Sequence, residues 1–343
     1  MATEALERLS RSGSNERLET QIFVRAGVLP WFLIIAFIIF TFATDSFLTG
    51  PNFEQVARQA TYLVMVAMAQ MIVLLTAGLD LSVGVMFAIT SVISSMVMVN
   101  VFNASGKEMV WGSIAIGCLA GFGSGLAVGV LNGIGVAIFR VPPFIMTLAM
   151  QTIVFGIALT ITGGTPIYGM PTEFAEVFGY GSALGVKVPI WITIGFVILV
   201  YVLLSWTRMG RYFYALGGNL KASLLSGIST RFYLFMAYVC CAAITTVAAL
   251  MLTARLESGE SNIGVSYPLN SIAACAIGGV SLFGGTGRLL NVVLGAIFIV
   301  LVENGMNLMR IGSYQQLIAI GILLVLAVVA DNYRQKLLLT LKD

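Results

Sequence analysis

Long runs of apolar residues, separated by short polar stretches, recur along the whole of this 343-residue chain. A run of about 20 apolar residues is long enough for a helix to cross the roughly 30 Å hydrocarbon core of a bilayer. Lipid cannot satisfy backbone polar groups, and continuous runs rather than alternating patterns favour helices over a barrel. With 59% apolar and 10% charged residues, the sequence predicts an all-α polytopic membrane protein.

About ten transmembrane helices are expected, some of them broken or re-entrant. The predicted spans are residues 28–44, 59–77, 84–102, 110–138, 144–161, 189–206, 232–254, 269–283, 289–308 and 314–330. If the N- and C-termini are cytosolic, most Lys and Arg residues lie on the cytosolic side, as the positive-inside rule requires. The chain then divides into a cytosolic N-terminal segment at 1–27, a transmembrane domain at 28–330 and a cytosolic tail at 331–343.

One polar window, Arg208–Arg231, carries four basic residues and no acidic residue. We call it the basic window. Its pattern predicts a short helix over Asn219–Leu225 that is stopped by Gly227. The topology places the window in the cytosol, where something outside the bilayer must meet it.

The stretch A-G-L-D-L-S-V-G at Ala77–Gly84 places an acid between two apolar runs, without room for a full loop. Either the chain turns at the membrane surface here, or a helix is broken within the membrane and Asp80 caps the next segment. Asp80 then either satisfies backbone amides or contacts a transported solute. A weak repeat of this motif occurs at 279–285 and overlaps the end of a short, glycine-interrupted apolar run at 269–283.

The fourth predicted span contains glycines at four-residue spacing, at positions 117, 121, 125, 129 and 133. On a helix, residues four apart lie on nearly the same face, and glycines there let a neighbouring backbone approach closely. We expect a packing ridge rather than a binding site.

The chain lacks the motifs of an enzyme. It has no phosphate loop, paired carboxylates or nucleophile elbow, and it has no histidine. Its four cysteines lie in apolar runs without metal-site spacing, and a net charge of +3 is too small to indicate nucleic acid. We expect no catalytic residues, metal or cofactor on this chain. Transport must then draw energy from an ion gradient or from a partner, and the scarcity of intramembrane acids favours a partner.

Polar residues within the spans are candidates for a translocation path. Each has an alternative role in hydrogen bonding between helices, which is the commoner one. The candidates are Asp80, Ser82, Asn132, Gln151, Thr152, Asn304 and Asn307.

Several motifs occur together in one order: A-G-L-D-L-S-V-G (77–84), V-P-P-F-I-M-T-L (141–148), G-G-T-P-I (163–167), R-M-G-R-Y-F-Y-A-L-G-G-N (208–219), S-G-I (226–228), G-G-V-S-L-F-G-G-T-G-R (278–288) and N-G-M-N-L (304–308). Over residues 30–335 the chain thereby resembles the ribose-type permease subunits of sugar-importing ABC transporters. That resemblance implies a second permease subunit, a cytosolic ATPase that holds ATP–Mg, and an extracytoplasmic binding protein for a pentose, hexose or polyol. It also implies a bacterial cytoplasmic (inner) membrane.

The resemblance assigns roles to two further sets of residues. It implies contact with the ATPase for Arg208, Gly210, Arg211, Gly217, Gly218, Asn219, Lys221, Ala222, Ser226 and Gly227. It makes Thr165, Pro166, Glu173 and Glu176 candidates for docking the binding protein, with a merely solvated loop as the alternative for the two acids.

Two departures from the family pattern bear on partner choice. The acid and paired alanines common after G-G-N are replaced by Leu220-Lys221-Ala222-Ser223, and Tyr267 is followed by Pro268-Leu269-Asn270 instead of an acid. Gaining Lys221 changes the charge offered to an ATPase.

The competing hypothesis is a stand-alone secondary carrier or channel for a small polar solute. A membrane-embedded enzyme is disfavoured because no catalytic constellation is found.

Overall fold

The fold was analysed in a computed structural model, which describes residues 29–340 and, among these, omits the side chains of 327 and 330–340. The predicted cytosolic segment at 1–27 lies outside the described residues, as do the last three residues of the tail at 331–343. The helices are α1 Leu29–Ala43, α2 Gly50–Leu75, α3 Val83–Ala104, α4 Val110–Ala137, α5 Pro143–Thr162, α6 Thr172–Phe174, α7 Val188–Trp206, α8 Arg208–Gly218, α9 Leu220–Leu225, α10 Thr230–Leu256, α11 Tyr267–Ile277, α12 Leu289–Leu308 and α13 Ser313–Thr340. A π-helical turn, Ala175–Gly179, and a small antiparallel hairpin, β1 Ser182–Ala183 with β2 Val186–Lys187, separate α6 from α7.

Within residues 29–340, seven helices are long and apolar enough to cross a membrane: α2, α3, α4, α5, α7, α10 and α12. Three further apolar helices are shorter, at Leu29–Ala43, Tyr267–Ile277 and Ser313–Leu326. The all-helical, multi-pass membrane class is therefore confirmed. The count of about ten spans and the cytosolic position of both termini stay predictions.

The beginning of α2 differs from the sequence prediction, which began the second span at residue 59. The helix already begins at Gly50, with Pro51 in its first turn. Proline is well suited to that position because its fixed φ is helical and its missing N–H would have no partner there. Gly50-Pro51 therefore starts the helix before the predicted span.

The eighth predicted span, 269–283, also differs from the structure. Its helix α11 has only 11 residues, and the chain from Gly278 to Arg288 is not helical. A helix of that length rises about 16 Å, roughly half of the hydrocarbon thickness. By itself α11 does not cross a bilayer, and we describe its approach below.

Helix α2 forms the centre of the bundle. Every residue from Ala60 to Thr76 is buried, and α7, α8, α10, α11 and α12 all contact α2. A helix that is apolar on all sides is compatible with such enclosure by neighbouring helices. The end of α2 at Leu75 lies beside the basic window, so we call that end of the bundle the basic end and the other the opposite end.

The glycine ridge of α4 packs as the spacing predicts. A Cβ at Gly121 would lie 2.7 Å from the Cβ of Ser94 on α3. Farther along the ridge, Gly129 faces Ala242 and Gly133 faces Phe235, both on α10. The ridge therefore lets α4 approach α3 along its first part and α10 along its last part, which confirms the packing role.

Candidate functional site

The chain re-enters the bundle after α2, in the segment 76–82 that we call the first break. The amide of Gly78 donates to the carbonyl of Val73 at 3.1 Å, which closes a tight turn. The Gln70 side-chain amide then pairs with the backbone of Asp80, accepting from its N–H at 3.2 Å and donating to its carbonyl at 3.0 Å. Because Gln70 lies about 7 Å inside the end of α2, the break is within the bundle and not a surface turn.

Asp80 is fully buried and organises the start of α3. Its Oδ1 accepts from the backbone amide of Ser82 at 2.8 Å and from the Ser82 hydroxyl at 2.6 Å. Asn132 on α4 donates its Nδ2 to the Ser82 Oγ at 2.7 Å. This network joins α3 to α4, so the geometry matches the amide-satisfying role of Asp80. The second oxygen of Asp80 and the amide oxygen of Asn132 have no protein partner.

A second non-helical segment, residues 257–266, follows α10 and runs back along α3 from the opposite end. We call it the second break. Gly259 forms an isolated antiparallel bridge with Ile167, and the amide of Glu260 donates to Ser91 Oγ at 3.1 Å. Helix α11 then begins at Tyr267, whose ring stacks on Phe87 with 4.6 Å between centroids. No sequence pattern had marked this segment as re-entrant.

The second break meets the first turn of α3, which directly follows the first break, at Gly264 and Gly84. A Cβ built on either glycine would lie 2.6 Å from the carbonyl oxygen of the other, far inside van der Waals contact. Gly264 also has a φ of +90°, a conformation that disfavours residues with a Cβ. The second break and the start of α3 are thus in backbone contact at one point.

A cavity of about 200 Å³, the crossing cavity, adjoins this contact. The candidate path residues Gln151 and Thr152 on α5 both line it. The wall contains no charged side chain, and its polar groups come from α5 and the second break. Its lining includes Gly84, Val85, Phe155, Ser261, Ile263 and Pro268.

The remaining path candidates lie elsewhere. Asp80, Ser82 and Asn132 belong to the buried network between α3 and α4. Asn304 donates to the side chain of Asn52 at 2.9 Å and joins α12 to α2. Asn307 accepts from Gln316 at 2.7 Å near the opposite end. The structure therefore brings only Gln151 and Thr152, among the candidates, to the crossing cavity.

The basic window folds into α8 and α9. Thr207 caps α8 by accepting from Gly210 N at 3.2 Å, and Asn219 caps α9 by accepting from Ala222 N at 2.9 Å. Gly227, with a φ of +79°, follows the end of α9. The predicted short helix at 219–225 and its glycine stop are confirmed.

The outer surface of the basic window is both basic and apolar. Arg208, Arg211, Lys221 and Arg231 are exposed. Sequence reasoning had missed three leucines beside them: Leu220, Leu224 and Leu225 are 49%, 62% and 89% exposed. Gly210 is buried and Gly217 half-buried, and the other residues expected to contact an ATPase are exposed.

The inner surface of the basic window touches the end of α2 through backbone atoms. A Cβ at Gly217 would overlap the carbonyl oxygen of Leu75 and the amide of Gly285. The Tyr214 hydroxyl donates to the carbonyl of Gly287 at 3.0 Å. The window therefore contacts the end of α2 through backbone atoms, and the loop after α11 through backbone atoms and the Tyr214 side chain.

The loop between α5 and α7 contains the residues expected to dock a binding protein. Thr165, Pro166 and Glu176 are exposed, and Glu173 is half-buried. The Ile167–Gly259 bridge joins this loop directly to the second break. Among the described residues no cluster of three or more His, Cys, Asp or Glu side chains is positioned to hold a metal ion.

Comparison with known proteins identifies the family. Residues 52–328 match the family model described as branched-chain amino acid transport system / permease component. The chain is 35% identical to the ribose import permease protein of Escherichia coli (strain K12) over 307 residues, which covers 88% of this chain and 92% of that protein. No solved structure matches the chain.

Permeases named for other sugars are similar as well. The D-allose transport system permease protein of Escherichia coli (strain K12) is 32% identical over 89% of this chain and 91% of that protein. The L-arabinose ABC transporter permease protein of Azospirillum brasilense is 32% identical over 92% and 89%. These matches confirm the resemblance read from the motifs: this multi-pass membrane protein belongs to the branched-chain amino acid transport system / permease component family, on its ribose-type branch.

Proposed function

We propose that this chain is the permease subunit of an ATP-driven, binding-protein-dependent importer of a simple sugar in the bacterial cytoplasmic membrane. A second permease subunit, identical or homologous, completes the transmembrane unit. The observation that carries the proposal is the backbone contact between Gly84 and Gly264 beside the crossing cavity. Chain breaks between helices that lie beside a cavity are typical of transporter cores that open alternately to either side.

The proposed substrates are neutral polyhydroxylated molecules. Ribose, allose and arabinose, which appear in the names of the similar permeases, all belong to this class. The crossing cavity is lined by apolar groups and by the uncharged polar side chains of Gln151, Thr152 and Ser261. Amides and hydroxyls both donate and accept hydrogen bonds, as sugar hydroxyls do. An uncharged wall also avoids holding the solute so tightly that release becomes slow.

The basic window is the proposed site of ATPase contact in the cytosol. Exposed leucines at the tip of α9 give a partner apolar area to bury, and the surrounding cations favour an acidic counterpart. Closure of paired ATPases on ATP then displaces α8, which touches the end of α2, directly before the first break, through Gly217. Hydrolysis occurs on that partner, which holds the ATP–Mg, and not on this chain.

The loop that contains Thr165, Pro166, Glu173 and Glu176 is the proposed contact for an extracytoplasmic sugar-binding protein. Its bridge between Ile167 and Gly259 would carry a displacement of the loop to the second break. One partner thus acts on each break, from opposite sides of the membrane. In this arrangement, movements of either partner can displace the backbone contact between Gly84 and Gly264.

Reconstitution tests the proposal. The tagged chain is purified with its associated proteins, and proteoliposomes are prepared with and without the ATPase and the binding protein. Uptake of labelled D-ribose, D-allose and L-arabinose is measured with ATP and with a non-hydrolysable analogue. We expect accumulation only with ATP and both partners. Gradient-driven accumulation by the chain alone would identify a stand-alone carrier instead.

A further inference from the structure

A second cavity, of about 270 Å³, lies on the other side of the second break. We call it the polar cavity. Ser266, Tyr267 and Asn270 face it, whereas Ile263, Val265 and Pro268 from the same stretch face the crossing cavity. The start of α11 is therefore a partition between two cavities. Of the path candidates named from the sequence, only Asn307 lines the polar cavity.

The lining groups of the polar cavity come from four helices and leave hydrogen-bonding capacity unused. Tyr62 on α2 is 2% exposed, lines the cavity and has no partner for its hydroxyl. Glu303 accepts from Asn270 Nδ2 at 3.0 Å through Oε1. The carboxylate therefore has a second oxygen available. The amides of Gln59 and Asn307 also line the space.

Arg255 adds a cation to the same wall. Its guanidinium carbon lies 5.8 Å from the centroid of the Tyr62 ring. Within the part of the chain that the structure describes, Arg255 forms no ion pair with Glu303 within 4 Å, although both line the cavity. A buried hydroxyl without a partner costs free energy, so a molecule that bridges these groups would stabilise the wall.

The composition of the wall selects the class of that molecule. An anion would face the Glu303 carboxylate and a cation would face Arg255, so neither sign is favoured throughout. A single carboxylate is too few ligands for a hard metal ion. A neutral polyhydroxylated molecule can donate to Glu303 and accept from Arg255, Tyr62 and the amides together. The volume lies near the lower limit of small-molecule pockets, which suits a small solute.

We infer that the polar cavity, formed where Tyr62, Arg255, Asn270 and Glu303 converge behind the second break, is a loading subsite for a neutral polyhydroxylated solute. This rests on the proposed function, since the solute is the class assigned there. Sugar held in the polar cavity reaches the crossing cavity when the stretch 263–270 shifts. The start of α11 thereby separates the cavity that binds the sugar from the cavity through which the sugar passes.

Direct binding to the purified full-length chain tests the subsite. Saturation-transfer NMR with D-ribose as probe is measured on the wild type and on Tyr62→Phe, which removes one hydroxyl and keeps the ring. We expect roughly fivefold weaker ribose binding, the loss of about one hydrogen bond. Glu303→Gln should weaken binding as well. The matched control, Tyr201→Phe on α7, removes a hydroxyl from a half-exposed side chain outside both cavities and should bind as the wild type does.

Three results would overturn the inference. The first is an equal ribose signal from the wild type and from Tyr62→Phe, when thermal unfolding shows that both proteins are folded. The second is displacement of ribose by inorganic phosphate. The third is the absence of a ribose signal from the wild type, which would mean that the cavity holds only water. ATP-driven uptake without direct ribose binding would remove this subsite and leave the proposed function standing. Direct ribose binding without ATP-driven uptake would support the subsite and contradict the proposed function.

Discussion

The backbone amide of Gly285 donates to the carbonyl oxygen of Leu75 at 3.0 Å. Gly217 of the basic window lies against the same two groups, close enough that any Cβ would overlap both. The end of α2, the loop after α11 and the window thus share one backbone junction. A displacement of α8 reaches the first break through this junction with no flexible side chain between them.

Gly217→Ala should separate transport from partner binding. The added methyl overlaps Leu75 O, and such overpacking costs about 1–3 kcal/mol. We expect ATP-driven uptake to fall about tenfold, which is the size of a typical coupling free energy. ATPase co-purification should persist because the outer surface is unchanged. Gly195→Ala on α7 is the control, since a Cβ there meets nothing within 4 Å and should leave uptake intact. Equal effects of the two substitutions would argue against the junction.

Reversing the charge at Arg211 or Lys221 should weaken attachment of the ATPase without preventing membrane insertion. Both side chains are exposed in a window with no acidic residue, so Arg211→Glu and Lys221→Glu replace attraction to an acidic partner by repulsion. Co-purification and its dependence on salt are the measurements. Lys107→Glu, at another exposed loop, is the control. Normal co-purification of the ATPase with the double variant would show that the basic window is not the ATPase contact site.

Gly264→Ala should impair uptake more than backbone strain alone explains. The new Cβ lies 2.6 Å from the carbonyl oxygen of Gly84 and forces the second break away from the start of α3. Gly106→Ala, in the loop between α3 and α4, is a control with a left-handed φ of +64° against +90° and nothing within 4 Å of its Cβ. The control should show only the strain of a left-handed conformation, roughly 1–2 kcal/mol in thermal unfolding. Similar uptake by the two variants would mean that the contact does not matter for transport.

Ser82→Ala should destabilise the fold. The hydroxyl donates to Asp80 and accepts from Asn132, so its removal leaves further buried polar atoms unpartnered. The expected loss is about 2 kcal/mol in the free energy of unfolding. Ser124→Ala is the comparison, because that hydroxyl bonds only to the Gly121 carbonyl of its own helix at 2.8 Å. If the two variants unfolded alike, the network between α3 and α4 would contribute little.

Local patterns in the sequence predicted much of the helical framework. The apolar runs predicted long helices, the glycines of α4 predicted their packing role, and Asn219 with Gly227 predicted the short helix in the basic window. Each of these features depends on residues near one another in the chain. The early start of α2 was missed because Gly50-Pro51 reads equally as a turn and as a helix N-terminus.

The sequence by itself determined the class of protein and its family, because length, hydropathy and ordered motifs are properties of the chain read one segment at a time. Only the tertiary structure decided that the second break re-enters the bundle, that Gly84 touches Gly264, and that Tyr62, Arg255 and Glu303 line one cavity. The physical reason is that these groups lie far apart along the chain. Their meeting depends on how α2, α10, α11 and α12 pack, and a local pattern does not encode that packing.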